Sequence, residues 1–120
     1  MSVRALRGAT TCDVDTVGEV NLKTKALVVA MLERNGVDHD DLISIVFTAT
    51  DDLHAQFPAT AARALGLGDV PLICARELDI VGGMPRTIRI LMHLETERSR
   101  AELHHVYLES ATTLRDDLPE

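Results

Sequence analysis

The chain has 120 residues and a formal net charge of −7, and 46% of its residues are hydrophobic although it contains only two Phe, one Tyr and no Trp. An acidic chain without a basic stripe or stacking aromatics argues against nucleic-acid binding, because phosphate contacts supply most of that affinity. No apolar run approaches the length of a membrane span, which argues against a membrane protein.

The same totals predict one cytoplasmic domain over residues 1–120 with an aliphatic core. The start of the chain lacks an apolar signal core. Cys12 and Cys74 form neither a disulfide framework nor a metal-ligand spacing. We therefore expect no metal centre.

The first half of the chain is predicted to fold as strand, helix and strand. Residues 3–7 alternate like a strand that ends at Gly8. Thr16 and Glu19 form a capping box, which predicts a helix from there to about residue 34. Val20, Thr24, Leu27 and Met31 give it a buried stripe, and Asn35-Gly36 is a stop signal. Residues 43–49 are apolar on both faces, which predicts a central strand.

The second half adds a short helix and three strands. A polar loop over 50–56 leads into a helix over 58–66, with Pro58 at its first position. A brief strand over 70–74 follows, and residues 75–83 turn the chain into the next strand. Ser99 and Glu102 form a second capping box, residues 105–109 alternate as the last long strand, and we expect the polar tail over 116–120 to fray.

The strand over 88–94 contains the most informative residue of the chain. Its alternation places Arg89, Leu91 and His93 on one face and four apolar side chains on the other. Both faces are largely apolar, so we expect both to be covered. A buried guanidinium without a partner is costly, and we predict that the partner of Arg89 is an anionic ligand.

The remaining chemistry is that of a binding site for a small acid. The chain lacks a P-loop, a dinucleotide fingerprint, a zinc-protease motif, a nucleophile elbow and a Cys-x-x-Cys pair, and its five histidines are scattered. Arginines, one tyrosine and a glutamate are typical of sites that hold carboxylates by bidentate contacts. Taken alone, Arg7 and Arg63 are compatible with a strand-end arginine and a helix-end arginine, and Cys74 with a small buried hydrophobe.

Several motifs together resemble the small trimeric class of chorismate mutase. They are Arg-Gly-Ala-Thr-Thr at 7–11, Asp-Leu-His-Ala at 52–55, Phe-Pro-Ala at 57–59 with Arg63, Val-Pro at 70–71, Cys74 with Glu77, Asp79 with Gly82-Gly83, Ile-Arg at 88–89 and His-Val-Tyr-Leu-Glu at 105–109. The resemblance covers residues 4–115 in order and spacing.

The resemblance implies an α/β subunit with a mixed sheet of about five strands and two main helices. Three subunits would form a pseudo-α/β-barrel, with an active site in each cleft between neighbours. The implied reaction is the conversion of chorismate to prephenate, an intramolecular [3,3] rearrangement on the route to phenylalanine and tyrosine. It needs no cofactor, metal, base or nucleophile.

The resemblance also implies a role for each site residue. Arg89 would face the ether oxygen, Arg7 and Tyr107 would hold carboxylate oxygens, and Glu77 and Cys74 would contact the ring hydroxyl. The remaining substrate-binding positions are Phe57, Ala59, Thr60, Arg63, Ile73, Leu114 and Arg115. Thr60 departs from the lysine that family members often carry, which removes one positive charge from the pocket mouth.

Two other functions are compatible with the sequence. One is a trimeric binding or regulatory protein of similar fold that keeps the arginine pocket for another small acid. The other is a hydrolase or deaminase that uses His54 or Cys74.

Overall fold

One mixed five-stranded sheet carries two helices on one of its faces. The structure, a computed structural model, describes residues 1–114. The strands are β1 (Ser2–Thr11), β2 (Leu42–Ala49), β3 (Leu72–Arg76), β4 (Thr87–Thr96) and β5 (Val106–Tyr107), and the helices are α1 (Val17–Asn35) and α2 (Pro58–Ala64). The strand order is β3-β2-β4-β1-β5. β4 is antiparallel to β1 and β2, whereas β3 is parallel to β2 and β5 is parallel to β1. This arrangement confirms the predicted α/β class and strand number.

Helix α1 forms where its sequence signals predict. The Thr16 hydroxyl accepts a hydrogen bond from the Glu19 backbone at 3.1 Å, but the Glu19 carboxylate accepts from the Asp13 backbone instead, so only half of the capping box is present. The helix ends at Gly36, whose φ of +58° is the left-handed conformation that glycine adopts without strain. The predicted stripe of Val20, Thr24, Leu27 and Met31 is buried.

The main core lies between the helices and one face of the sheet. Strand β4 contributes the apolar side chains that the alternation predicted, namely Ile88, Ile90, Met92 and Leu94. Gly8 of β1 allows α1 to approach closely, because a Cβ there would lie 2.5 Å from Met31 Sδ. Helix α1 therefore packs directly against β1, the strand that carries Arg7.

The second face of the sheet is only partly covered within one chain, because Ala9 and Tyr107 are buried there while much of β2, β3 and β4 is not. Arg89 and His93 are half-buried and Leu91 is exposed, so the prediction that both faces are covered is wrong for the single chain. We call this surface of β1, β2, β3 and β4 the open face. It carries the alternate residues of each strand.

Three strands, β1, β3 and β5, differ most from the bounds that the sequence predicts. β1 continues past Gly8 to Thr11, because the ladder with β4 runs without a break to the Thr11–Thr87 pair. β3 begins at Leu72 and includes Arg76. β5 has only two residues, because Glu109 adopts a φ of +53° and the chain continues as a 3-10 helix over Glu109–Thr113. Arg115 and the predicted tail over 116–120 lie outside the described residues.

Across residues 1–114, no helix is long and apolar enough to cross a bilayer.

Candidate active site

The long ladder between β1 and β4 brings two arginines together on the open face. Arg89 lies opposite Ala9, and Arg7 lies opposite Leu91, two residues further along the same face of β4. Tyr107 of β5 lies on the other side of Ala9. A cavity of about 300 Å³ is lined by Arg7, Gly8, Ala9, Val46, Thr48, Glu77, Arg89, Ile90, Leu91 and Tyr107.

Glu77 follows directly after β3, and it lines this cavity because its backbone continues the pairing of β3 by one residue. The Glu77 backbone donates to the Ala49 carbonyl at 2.9 Å, which continues the pairing with β2. The Thr48 hydroxyl donates to Glu77 Oε2 at 2.7 Å, and the Leu78 backbone donates to Oε1 at 3.3 Å. The carboxylate is therefore held at both oxygens.

Arg89 has a partner inside the chain. Its Nε lies 3.1 Å from Glu77 Oε2, but the angle is too bent for a hydrogen bond. Glu77 is thus an anionic partner within the chain that the sequence prediction did not include, while binding of an anionic ligand stays a prediction. The side chain remains 41% exposed although Nε is shielded from solvent, and within residues 1–114 nothing hydrogen-bonds its terminal nitrogens.

Arg7 and Tyr107 complete the wall opposite Glu77. The Arg7 backbone donates to His105 Nδ1 at 2.9 Å, and its guanidinium makes no hydrogen bond or ion pair within the described chain. Tyr107 is 6% exposed and packs with Ala9 and Ala111. Two guanidinium groups and one carboxylate thus leave the cavity with a net positive charge, which suits a ligand with carboxylates.

The other predicted site residues lie apart from this cavity. Phe57 is 68% exposed and lines a second cavity of about 730 Å³ beside the loop over 50–57. Ala59 is buried in α2, Thr60 donates to Gln56 Oε1 at 3.3 Å, and Arg63 is exposed in the last turn.

The two β3 candidates lie on opposite faces of the sheet. Ile73 pairs with Val46 on the open face and is 62% exposed. Cys74 pairs with Phe47, and its side chain packs against the main core while also lining the second cavity. A contact from Cys74 to a ligand on the open face would therefore have to come from its backbone.

Leu114 is the last described candidate, and Arg115 follows outside the described residues. Leu114 packs against the cluster of Ala9, Tyr107 and Ala111, which is the back of the Arg89 cavity. The structure therefore brings together Arg7, Glu77, Arg89 and Tyr107, with Leu114 behind them.

Carboxylates fix the loop that precedes α2. Asp15 accepts hydrogen bonds from the backbones of His54 and Ala55 at 2.9–3.0 Å, and these bonds lower the pKa of Asp15. Asp51 and Arg76 form a bidentate pair at 2.7 and 3.0 Å, in which the guanidinium lowers the pKa of Asp51. Asp15 thus holds the backbone of the loop two and three residues before Phe57.

Sequence reasoning missed Thr48, Val46 and Leu91 as lining residues. Alternation along β2 places Thr48 and Val46 on one face, but only the pairing of Thr48 with Arg89 reveals which face that is.

Among residues 1–114, no three His, Cys, Asp or Glu residues are grouped closely enough to hold a metal ion.

Comparison with known proteins decides the family. The family model for chorismate mutase type I matches residues 3–118. The chain belongs to this family. Its relatives include chorismate mutase AroH of Bacillus subtilis (strain 168), which is 42% identical over 119 residues covering 98% of this chain and 94% of that protein.

Two further chorismate mutases agree with the match. AroH of Thermus thermophilus is 43% identical over 117 residues, covering 97% of this chain and 96% of the relative. A solved structure of chorismate mutase from Clostridium thermocellum, Cth-682, superposes with a TM-score of 0.90 at 43% identity, covering 91% of this chain and 97% of that one. The predicted family and fold are confirmed.

Proposed function

We propose that this protein converts chorismate to prephenate, on the route to phenylalanine and tyrosine, in the cavity between Arg7, Glu77, Arg89 and Tyr107. The observation that carries the proposal is that two guanidinium groups, one carboxylate and one phenol line the same cavity of about 300 Å³. Chorismate carries two carboxylates and a hydroxyl on a ring. Each of these substrate groups has a partner of matching chemistry among the four residues.

The reaction itself makes few chemical demands on the protein. The ether C–O bond breaks while a C–C bond forms within the same molecule, so no proton, nucleophile or cofactor is required. The protein has to hold the extended substrate in its compact reactive form, which lowers the entropy cost of the step. It also has to stabilise negative charge that develops on the ether oxygen, and a fixed cation does this best in a site from which water is excluded.

The four residues divide these tasks. Arg89 directs its unbonded terminal nitrogens at the ether oxygen, and Glu77 keeps that guanidinium oriented while accepting the ring hydroxyl. Arg7 and Tyr107 bind carboxylate oxygens. Cys74 contributes a backbone contact to the ring hydroxyl, since its side chain lies on the covered face.

We further infer that each active site is completed by a neighbouring chain in a homotrimer. The open face presents apolar residues such as Ile73 and Leu91 to solvent in the single chain. Phe57, Thr60 and Arg63, at the start of α2 and along it, do not line the Arg89 cavity of their own chain. A neighbour can supply them as an apolar wall and a cation at the mouth.

The enzyme is proposed to work in the cytoplasm. Support comes from Cys12 and Cys74, which are both unpaired thiols, as is usual in a reducing compartment.

Loss of the chorismate diene absorbance on addition of purified protein tests the function. We expect catalysed loss that depends on enzyme concentration and accumulation of prephenate in equal amount. Binding of chorismate without any catalysed loss would contradict the proposal and would favour a binding protein.

A further inference from the structure

A single hydroxyl on β2 connects the two charged residues at the centre of the proposed site. Thr48 pairs with Arg89 on β4 and, on its other side, with Ala75 of β3, two residues before Glu77. Its Oγ1 donates at 2.7 Å to Glu77 Oε2, the same oxygen that lies 3.1 Å from Arg89 Nε. Thr48 also lines the cavity.

The Thr48 bond is the stronger of the two contacts at that oxygen. A hydroxyl that donates to a carboxylate at this distance forms a charge-assisted hydrogen bond. The Arg89 contact does not meet hydrogen-bond geometry. The direction of the Glu77 carboxylate is therefore set by Thr48 and by the Leu78 backbone, and not by Arg89.

The bent contact has a consequence for the arginine. A guanidinium and a carboxylate that are free to move prefer a bidentate pair with two parallel hydrogen bonds. Such a pair between Arg89 and Glu77 would occupy a terminal nitrogen, the group that the proposed reaction needs. The bond from Thr48 holds Oε2 away from that arrangement.

We infer that Thr48 is a positioning residue, which keeps Glu77 from forming a bidentate pair with Arg89 and so leaves the arginine available to the reacting oxygen. The inference rests on the proposed function. Thr48 itself does not have to touch the substrate for this effect.

The central variant is Thr48→Val, which preserves the shape of the side chain and removes only the donor. We expect kcat to fall about tenfold, the effect of losing one hydrogen bond to a charged group, while KM changes by less than about threefold because Arg7 and Tyr107 still bind the carboxylates. Thr48→Ser restores the donor and should recover most of the lost kcat.

Two measurements distinguish positioning from a general loss of structure. In a Glu77→Gln background, Thr48→Val should have no further effect on kcat, because a neutral amide cannot form the bidentate ion pair that Thr48 prevents, although its oxygen can still accept the Thr48 hydrogen bond. In NMR spectra of Thr48→Val, the Arg89 side-chain N–H signals should shift and show slower exchange, as expected for a bidentate pair.

Thr24→Val is the matched control. Its hydroxyl is buried in α1 and has no hydrogen-bond partner in the described chain, so the substitution should leave both kcat and the Arg89 signals unchanged. Wild-type kcat in Thr48→Val, together with a strong loss in Arg89→Lys, would overturn the inference and leave the proposed function intact. Wild-type kcat in both Arg89→Lys and Glu77→Gln would instead contradict the proposed site.

Discussion

Arg89 shows how a charged side chain is held ready before a ligand arrives. The contact with Glu77 compensates part of its charge, and the antiparallel neighbours on β1 and β2 fix the position of its backbone. The sequence alone indicated that Arg89 needed an anionic partner. It could not identify Glu77, because that contact depends on β2 being inserted between β3 and β4 in space.

Replacement of Arg89 by Lys tests the need for the guanidinium. Lysine keeps the charge but cannot reach the same oxygen with a planar pair of donors, so we predict a loss of roughly 10²–10³ in kcat, the size seen when one preorganised donor is removed. Steady-state kinetics on chorismate measure the change. A variant with near-normal turnover would remove Arg89 from the role proposed for it.

At the level of secondary structure, elements with local signals were predictable and elements that depend on distant contacts were not. The stop at Gly36 and the start of α2 at Pro58 are both where the sequence places them. The last strand was predicted too long, because its pairing with β1 stops after Tyr107 and Glu109 turns the chain. Alternation shows which residues share a face but not how far a partner strand extends.

The two ends of α1 give a matched pair of glycine substitutions with opposite expected signs. Gly36→Ala forces a side chain into the left-handed region and should lower the free energy of unfolding by about 1–2 kcal/mol. Gly18→Ala lies in a helical turn with nothing within 4 Å of the added methyl group, and should raise it by up to about 1 kcal/mol. Urea unfolding at one protein concentration measures both, and equal shifts would contradict the assignment of the helix end.

The loop before α2 should weaken at low pH through Asp15. Backbone hydrogen bonds from His54 and Ala55 lower the pKa of Asp15 in the folded state, so its contribution to stability is complete above the ordinary aspartate pKa and is lost as pH falls through the lowered value. Asp15→Asn should therefore lower Tm near pH 7, and the difference from wild type should shrink below about pH 4.

Asp13→Asn provides the control for this change in charge. Asp13 is exposed, and its carboxylate makes no hydrogen bond within the described chain, so its Tm should follow the wild type at each pH. A Tm difference for Asp15→Asn that stays constant with pH would show that the carboxylate charge is not what holds the loop.

On the scale of the whole molecule, the predicted site residues fall into two groups on one chain. Arg7, Glu77, Arg89 and Tyr107 share one cavity, while Phe57 and Cys74 line another. The sequence motifs identified members of both groups but could not indicate this division. It follows from the two faces of the sheet, because Cys74 packs on the covered face whereas Glu77 and Arg89 lie on the open face.

Mixed oligomers of two variants test the proposed sharing of each site between neighbouring chains of a trimer. Arg89→Lys and Arg63→Ala should each be poorly active alone. If the chains exchange randomly at equal amounts, about a quarter of the sites receive both native halves, so the mixture should recover about a quarter of wild-type activity. Refolding the two variants together and separately provides the comparison, and a mixture no more active than its components would place both halves in one chain.

The position of Tyr107 also makes the protein its own optical probe. The chain has one tyrosine and no tryptophan, so its ultraviolet emission comes from a phenol that is 6% exposed and forms a wall of the arginine cavity. Any molecule that enters there changes the surroundings of this tyrosine. Occupancy of the cavity can therefore be followed by intrinsic fluorescence in the unmodified chain, even for compounds that the enzyme does not transform.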